Sequence, residues 1–142
     1  MLIPGSVNWL LDAVDAGVQL DIRDQLRRLR ADIDGVFVGV WFVDPPHQLL
    51  EHCGDRRFAP TKYPELDAGV PSLETIVSAD STKHVAIAHL VRLGRGMPCL
   101  GLVAVDAHLQ PPKLIDVIDD AGARIERIIV KALVGGRRRN RP

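Results

Sequence analysis

The chain has 142 residues, the length of one domain and enough to bury a core of its own. With 46% hydrophobic and 25% charged residues, and Lys plus Arg matching Asp plus Glu at 18 each, the composition excludes a disordered chain and a generally basic nucleic-acid binder. No apolar run approaches the roughly 18 residues of a membrane span, and MLIPGSVNW lacks the charged start and apolar centre of a signal peptide, so the expected location is the cytoplasm.

The overall neutrality hides an asymmetry. The terminal stretch GGRRRNRP holds four Arg and no acid, which leaves the preceding body with 14 basic against 18 acidic groups. The chain is therefore divided into a single domain, residues 1–134, and a basic tail, residues 135–142, for which a disordered, solvated end is expected. Contact of the tail with nucleic acid or an acidic partner is the alternative. Cys53 and Cys99 are too few for a disulfide framework and read as buried thiols.

Ser6 is a candidate N-cap, and Val7, Leu10, Leu11, Val14 and Val18 recur at spacings of three and four, the signature of an amphipathic helix. Gly17 weakens that helix, after which Ile22, Leu26, Leu29 and Ile33 resume the pattern. One long helix with a break near Gly17 to Leu20, or two helices in line, both fit. Asp34-Gly35 ends it. Val36 to Val43 is apolar at every position, which predicts a strand covered on both faces. The turn Asp44-Pro45-Pro46-His47-Gln48 then leads to a shorter strand, Leu49 to Cys53, making a hairpin.

Residues Gly54 to Thr82 are punctuated by Pro60, Pro64, Gly69 and Pro71 and read as an irregular cover for the sheet. Within them Ser72 to Ala79 is expected to form a short helix capped by Ser72, with a strand at Glu74 to Val77 as the alternative. The stretch Lys83 to Asp106 organises the chain: two apolar strands joined by the turn Leu93-Gly94-Arg95-Gly96-Met97. Alternation sets Val85, Ile87, His89 and Val91 on one face and His84, Ala86, Ala88 and Leu90 on the other. Pro111-Pro112 opens a last helix, whose Leu114, Ile118, Ala121, Ile125, Ile128 and Ala132 form a heptad-like seam, and Gly135-Gly136 is expected to close it.

This order of helix, apolar hairpin, irregular segment, second hairpin and long C-terminal helix resembles a GAF domain, within the wider class of PAS-like and profilin-like sensor folds. The most specific likeness is the last hairpin, where His84 to Val91 and the turn Arg92 to Pro98 precede Leu100-Gly101-Leu102-Val103-Ala104-Val105. GAF domains commonly close with an apolar strand, a short polar or glycine-containing turn and a strand of the form small-apolar-Gly-x-Leu. The likeness spans about Ser6 to Val134. It implies an α+β fold, an antiparallel sheet with the N- and C-terminal helices packed on one face. There is no copy of the Asn-Lys-x-Phe-Asp motif of cyclic-nucleotide-binding GAF domains and no cysteine in the tetrapyrrole-attachment setting. A roadblock-type or longin-like domain is the rival within the same architecture.

The expected role is a regulatory or sensor domain without catalysis. A small ligand would lie between sheet and cover, with Trp41, Phe58, Tyr63 and His89 as its lining, since these combine apolar rings with one orienting polar group. The same residues also serve as core and lid filler. A homodimer is expected through the terminal helices, at Leu114, Ile118, Ile125 and Ile128. The alternative is an adaptor that binds a protein partner, such as a small GTPase or a kinase, and no ligand. No motif names a cofactor. His47, His52 and Cys53 do not converge as metal ligands because His52 and Cys53 point oppositely on a strand. Gly94-Arg95-Gly96 lacks the following helix that an anion site needs.

Overall fold

The structure, a computed structural model, describes residues 14–43, 48–61, 72–93, 99–108 and 111–139. Helix α1 (Ala16–Ile33) starts where Asp15 accepts a hydrogen bond from the Val18 amide at 3.0 Å and stops at Asp34, which takes the left-handed conformation with φ 51°. Gly17 thus falls in the first turn of α1. The expected helical pattern from Ser6 to Ala13 lies outside the described residues. Ile22, Leu26, Leu29 and Ile33 form the buried stripe of α1.

Five strands follow: β1 (Phe37–Phe42), β2 (Leu49–Gly54), β3 (Ser72–Val77), β4 (Lys83–Arg92) and β5 (Cys99–Val105). They form one antiparallel sheet in the order β2-β1-β5-β4-β3. Every residue of β1 is buried, as its unbroken apolar run predicts for a strand covered on both faces. The turn at Asp44–His47 lies outside the described residues, as does the turn at Gly94–Pro98. The segment from Ser72 forms strand β3 and not the short helix expected there. Its β-branched run Thr75-Ile76-Val77 favours extended backbone, and pairing from Ser72↔Ala88 to Val77↔Lys83 satisfies that backbone against β4. Part of the expected cover is therefore an edge of the sheet.

Helix α2 (Pro111–Arg139) starts at the proline pair, but continues through Gly135 and Gly136 rather than ending there. The first residues of the basic tail thus prolong α2. Both helices lie on one face of the sheet and are tied to each other by Arg124 Nε, which donates to Gln25 Oε1 at 2.8 Å. The core between helices and sheet joins Ile22, Leu26, Leu29 and Ile33 to Val38, Val40, Phe42, Leu100, Leu102 and Ile87. Leu114, Ile118 and Ile125 are 4%, 0% and 0% exposed in this core, so α2 turns them inward, onto its own chain. Of the four seam residues expected at a dimer interface, only Ile128 is partly exposed. The reason is the second apolar set of α2: Ile129 and Leu133 continue the inward stripe, whereas a pure heptad seam would have passed through Ile128 and Ala132.

Candidate functional site: the aromatic face of the sheet

The strand register sorts the sequence-predicted lining. Trp41 pairs with Gly101, Gly39 with Val103 and Phe37 with Val105, so these residues share one face, together with Ala86 and Ala88 of β4. This face points away from the helices. Phe58, carried by the short 3₁₀ turn Arg56–Phe58, packs on the same cluster. Trp41 and Phe58 therefore come together as expected, while Tyr63 lies outside the described residues. His89 pairs with Leu102 and faces the helices, so the sheet separates it from Trp41 and Phe58.

The aromatic face has a defined geometry. The Phe37 and Trp41 rings are 5.9 Å apart and tilted by 44°, and His52 stacks on Phe37 at 5.7 Å and 18°. Gly39 makes room for this arrangement, because a Cβ there would lie 2.7 Å from two Trp41 ring carbons and 3.0 Å from Phe37 Cε1. Gly39 lies beneath the Trp41 ring, and the small residues Ala86 and Ala88 are buried on the same face of the sheet. Phe58 meets the His84 ring edge-on at 5.5 Å, and the Arg57 guanidinium sits 4.9 Å from the centre of the Phe58 ring.

His84 is the histidine of this face, and it is held at both ring nitrogens. Nδ1 is 2.6 Å from Asp106 Oδ2 and Nε2 is 2.6 Å from Thr82 Oγ1. A carboxylate only accepts, so the Nδ1 proton goes to Asp106; Thr82 Oγ1, which has one proton, donates it either to Nε2 or to Asp80. That hydroxyl also lies 2.5 Å from Asp80 Oδ1 and 3.0 Å from the Ser78 hydroxyl. Ser78, fully buried, donates to Asp80 as well. These hydroxyl donors, Ser78 first and Thr82 second, pull the Asp80 carboxyl down to about 2. The line Asp106–His84–Thr82 has the order of an orienting acid, a base and a hydroxyl, but the hydroxyl is engaged by the turn itself. It acts as a brace that holds an imidazole at the rim of the aromatic face.

His89 sits in a different environment. Its Nε2 is 3.5 Å from Asp119 Oδ1 on α2, and its buried Nδ1 has no hydrogen-bond partner among the described residues. Burial pushes the His89 imidazole down, against the opposing pull of Asp119. The ring lies against Gly122, where a Cβ would approach its Cδ2 to 3.1 Å, so it fills the seam between α2 and β4. This is the core role weighed for it from the sequence. His84 and His52, which the sequence-based lining omits, are the titratable groups that border the aromatic rings. Alternation along β4 had already placed His84 with Ala86 and Ala88. Its neighbourhood with Trp41 becomes visible only through the β1-β5-β4 register.

A groove of about 230 Å³ opens on the opposite side, beneath the start of α2, lined by Leu73, Val85, Ile87, Asp106, His108 and Leu114 among others. Among the described residues no three His, Cys, Asp or Glu side chains gather as metal ligands, and no helix is long and apolar enough to cross a membrane. Cys53 and Cys99 are free and only partly buried.

Comparison with known proteins places this architecture. No protein-family profile and no curated protein matches the chain. Among solved structures, the GAF domain of a protein assigned as a sensor histidine kinase from Pseudomonas syringae pv. tomato superposes with a TM-score of 0.58 at 11% identity, over 92% of this chain and 84% of that one. An IclR homolog from Microbacterium hydrocarbonoxydans, solved in complex with 4-hydroxybenzoate, superposes with a TM-score of 0.50 at 11% identity, over 84% of this chain and 69% of that one.

Proposed function

Starting from a GAF-like fold, we propose that the chain is a non-catalytic regulatory domain of the cytoplasm that holds a small ligand over the aromatic face of its sheet and dimerises through its terminal helices. The observation that carries the ligand reading is the pairing of an apolar aromatic surface, Phe37, Trp41 and Phe58, with a braced polar group, His84. Small-molecule sites have this composition, mostly apolar with few oriented polar groups. The structurally similar IclR homolog was solved with 4-hydroxybenzoate, which supports a small aromatic acid as the ligand class. The Arg57 guanidinium, 4.9 Å from the centre of the Phe58 ring, would receive its polar end, with the braced His84 ring bordering it.

Signalling would follow from differential affinity. A ligand that prefers one packing of α2 on the sheet shifts the population toward it by no more than that preference. The first test is a titration with 4-hydroxybenzoate in a Trp9→Phe background, so that Trp41 is the only tryptophan reporting. A saturable change in its emission that is lost in His84→Ala supports the proposal, and a flat response to the acid and its ring analogues counts against this ligand class.

One observation favours the adaptor reading. Leu73, Val77 and Val85 are 59%, 44% and 54% exposed on the helix-side surface of β3 and β4, beyond the edge of α2. A protein partner docked there would cover them. Loss of partner binding on Leu73→Glu and Val85→Glu, with aromatic-face ligands inert, would select that reading.

A further inference from the structure

We propose that the second copy of the chain docks antiparallel on the outward face of α2, about a two-fold axis between Ala123 and Arg124. Asp120 then faces the partner's Arg127 and Asp116 faces the partner's Lys131. This rests on the dimer reading above and supplies the surface and register that the buried Leu114, Ile118 and Ile125 do not.

The outward face of α2 is described by Asp116, Asp120, Ala123, Arg127, Lys131 and Val134, all exposed. At 100° per residue they fall within an arc of about 80°, opposite the buried Ile118. Charge is sorted along this arc, acids first and bases later. The helix dipole does not account for the order, since its influence fades within the first and last turns, and all four charged residues lie inside those limits of a helix running from Pro111 to Arg139. Their neighbours account for the acids alone, since Asp116 has Lys113 three residues before it and Asp120 has Arg124 four residues after it. Asp116 and Asp120 are four apart, as are Arg127 and Lys131, and like charges at that spacing destabilise a lone helix. Neither Arg127 nor Lys131 has an acid three or four residues away. Among the described residues, none of the four has an ion-pair partner within its own chain.

An antiparallel copy resolves these conflicts. Asp120 and Arg127 are equidistant from the midpoint of Ala123 and Arg124, and so are Asp116 and Lys131, so one two-fold axis creates both pairs twice. A parallel copy would instead set Asp on Asp and Arg on Arg. Ala123 lies at the axis, where a side chain of one carbon permits close helix approach. Val134 comes opposite the partner's Lys113, whose alkyl stem can cover it. Exposed ion pairs are individually weak and screened by salt, so the association is salt-sensitive.

The test is sedimentation equilibrium on the full chain at low salt, with three proteins and one mixture. The wild type is expected to be a dimer that dissociates as salt rises. Asp116→Lys/Asp120→Lys is expected to dissociate at least tenfold more readily, because all cross-helix pairs become repulsive. Adding Arg127→Glu and Lys131→Glu to that variant restores all pairs with reversed sign and is expected to return the wild-type dissociation constant. Mixing this fourfold variant with wild type is expected to give no heterodimer, whereas a parallel arrangement would favour one. A monomeric wild type would overturn both the dimer reading and the register. A dimeric wild type unaffected by the double reversal, or a fourfold variant that stays monomeric, would overturn the register alone. Circular dichroism of each variant confirms that these exposed changes leave the fold intact.

Discussion

Gly39 decides how the aromatic face is built, because the Trp41 ring lies where any side chain at that position would be. Gly39→Ala is expected to destabilise the fold by about 1–3 kcal/mol through overpacking, read as a lower urea midpoint at unchanged slope, together with a shift in Trp41 emission. Two histidines set the acid limit. Burial lowers His52, with Arg56 adding to the effect, and burial lowers His89. For each, the unfolded chain takes up a proton near the ordinary value of 6.5 while the folded chain resists until lower pH. Stability from the two neutral rings is therefore complete above 6.5 and is lost as pH falls through the window below it. His89→Leu should reduce the stability lost between about pH 7.5 and about pH 5.5 in urea titrations. An equal loss in variant and wild type would assign the acid sensitivity elsewhere. Asp80, held at about 2, acts in the same sense at lower pH: its contribution is present above 3.8 and is lost as pH falls toward 2.

At the scale of elements, the joint between α1 and β2 depends on one ion pair. Arg23 Nε and Nη2 donate to the two oxygens of Glu51 at 3.2 and 3.1 Å, and Glu51 also accepts from the His52 amide at 3.0 Å. Glu51 is 6% exposed while the Arg23 side chain is 46% exposed, so removing the arginine strands a buried carboxylate. Allowing for solvent screening at Arg23, Arg23→Ala is expected to cost about 1–2 kcal/mol, and Arg23→Ala/Glu51→Gln less than the single change. Thermal or urea unfolding of the three variants checks the order. The elements themselves were largely legible in the sequence. The unbroken run Val36 to Val43, the hairpin Lys83 to Asp106 and the 3.6-residue stripes of α1 and α2 each follow from apolar spacing alone. Ser72 misled because a capping residue before a short apolar run suits either a helix or a strand, and only pairing with β4 decides between them. Gly135-Gly136 misled as a helix stop because glycine lowers helix propensity without forbidding the conformation.

At the scale of the molecule, the sheet separates two functions. One face, with the helices and His89, is the principal core, and the other, with Trp41, Phe58 and His84, is a second, smaller buried cluster and the candidate ligand site. Which residues share a face is fixed by strand register and order, β2-β1-β5-β4-β3. Those are long-range facts, and local alternation within one strand cannot supply them. That is why the sequence paired Trp41 and Phe58 with His89 rather than with His84. The central claim, that the face bearing Trp41 is where a ligand sits, is most directly tested by mapping backbone amide NMR shifts during addition of a panel of small aromatic carboxylic acids. The expected result is saturable shifts confined to Phe37–Trp41, His84–Ala88 and Gly101–Val105. Shifts confined instead to Leu73, Val85 and Leu114 around the groove beneath α2, or no shifts with any member of the panel, would contradict it.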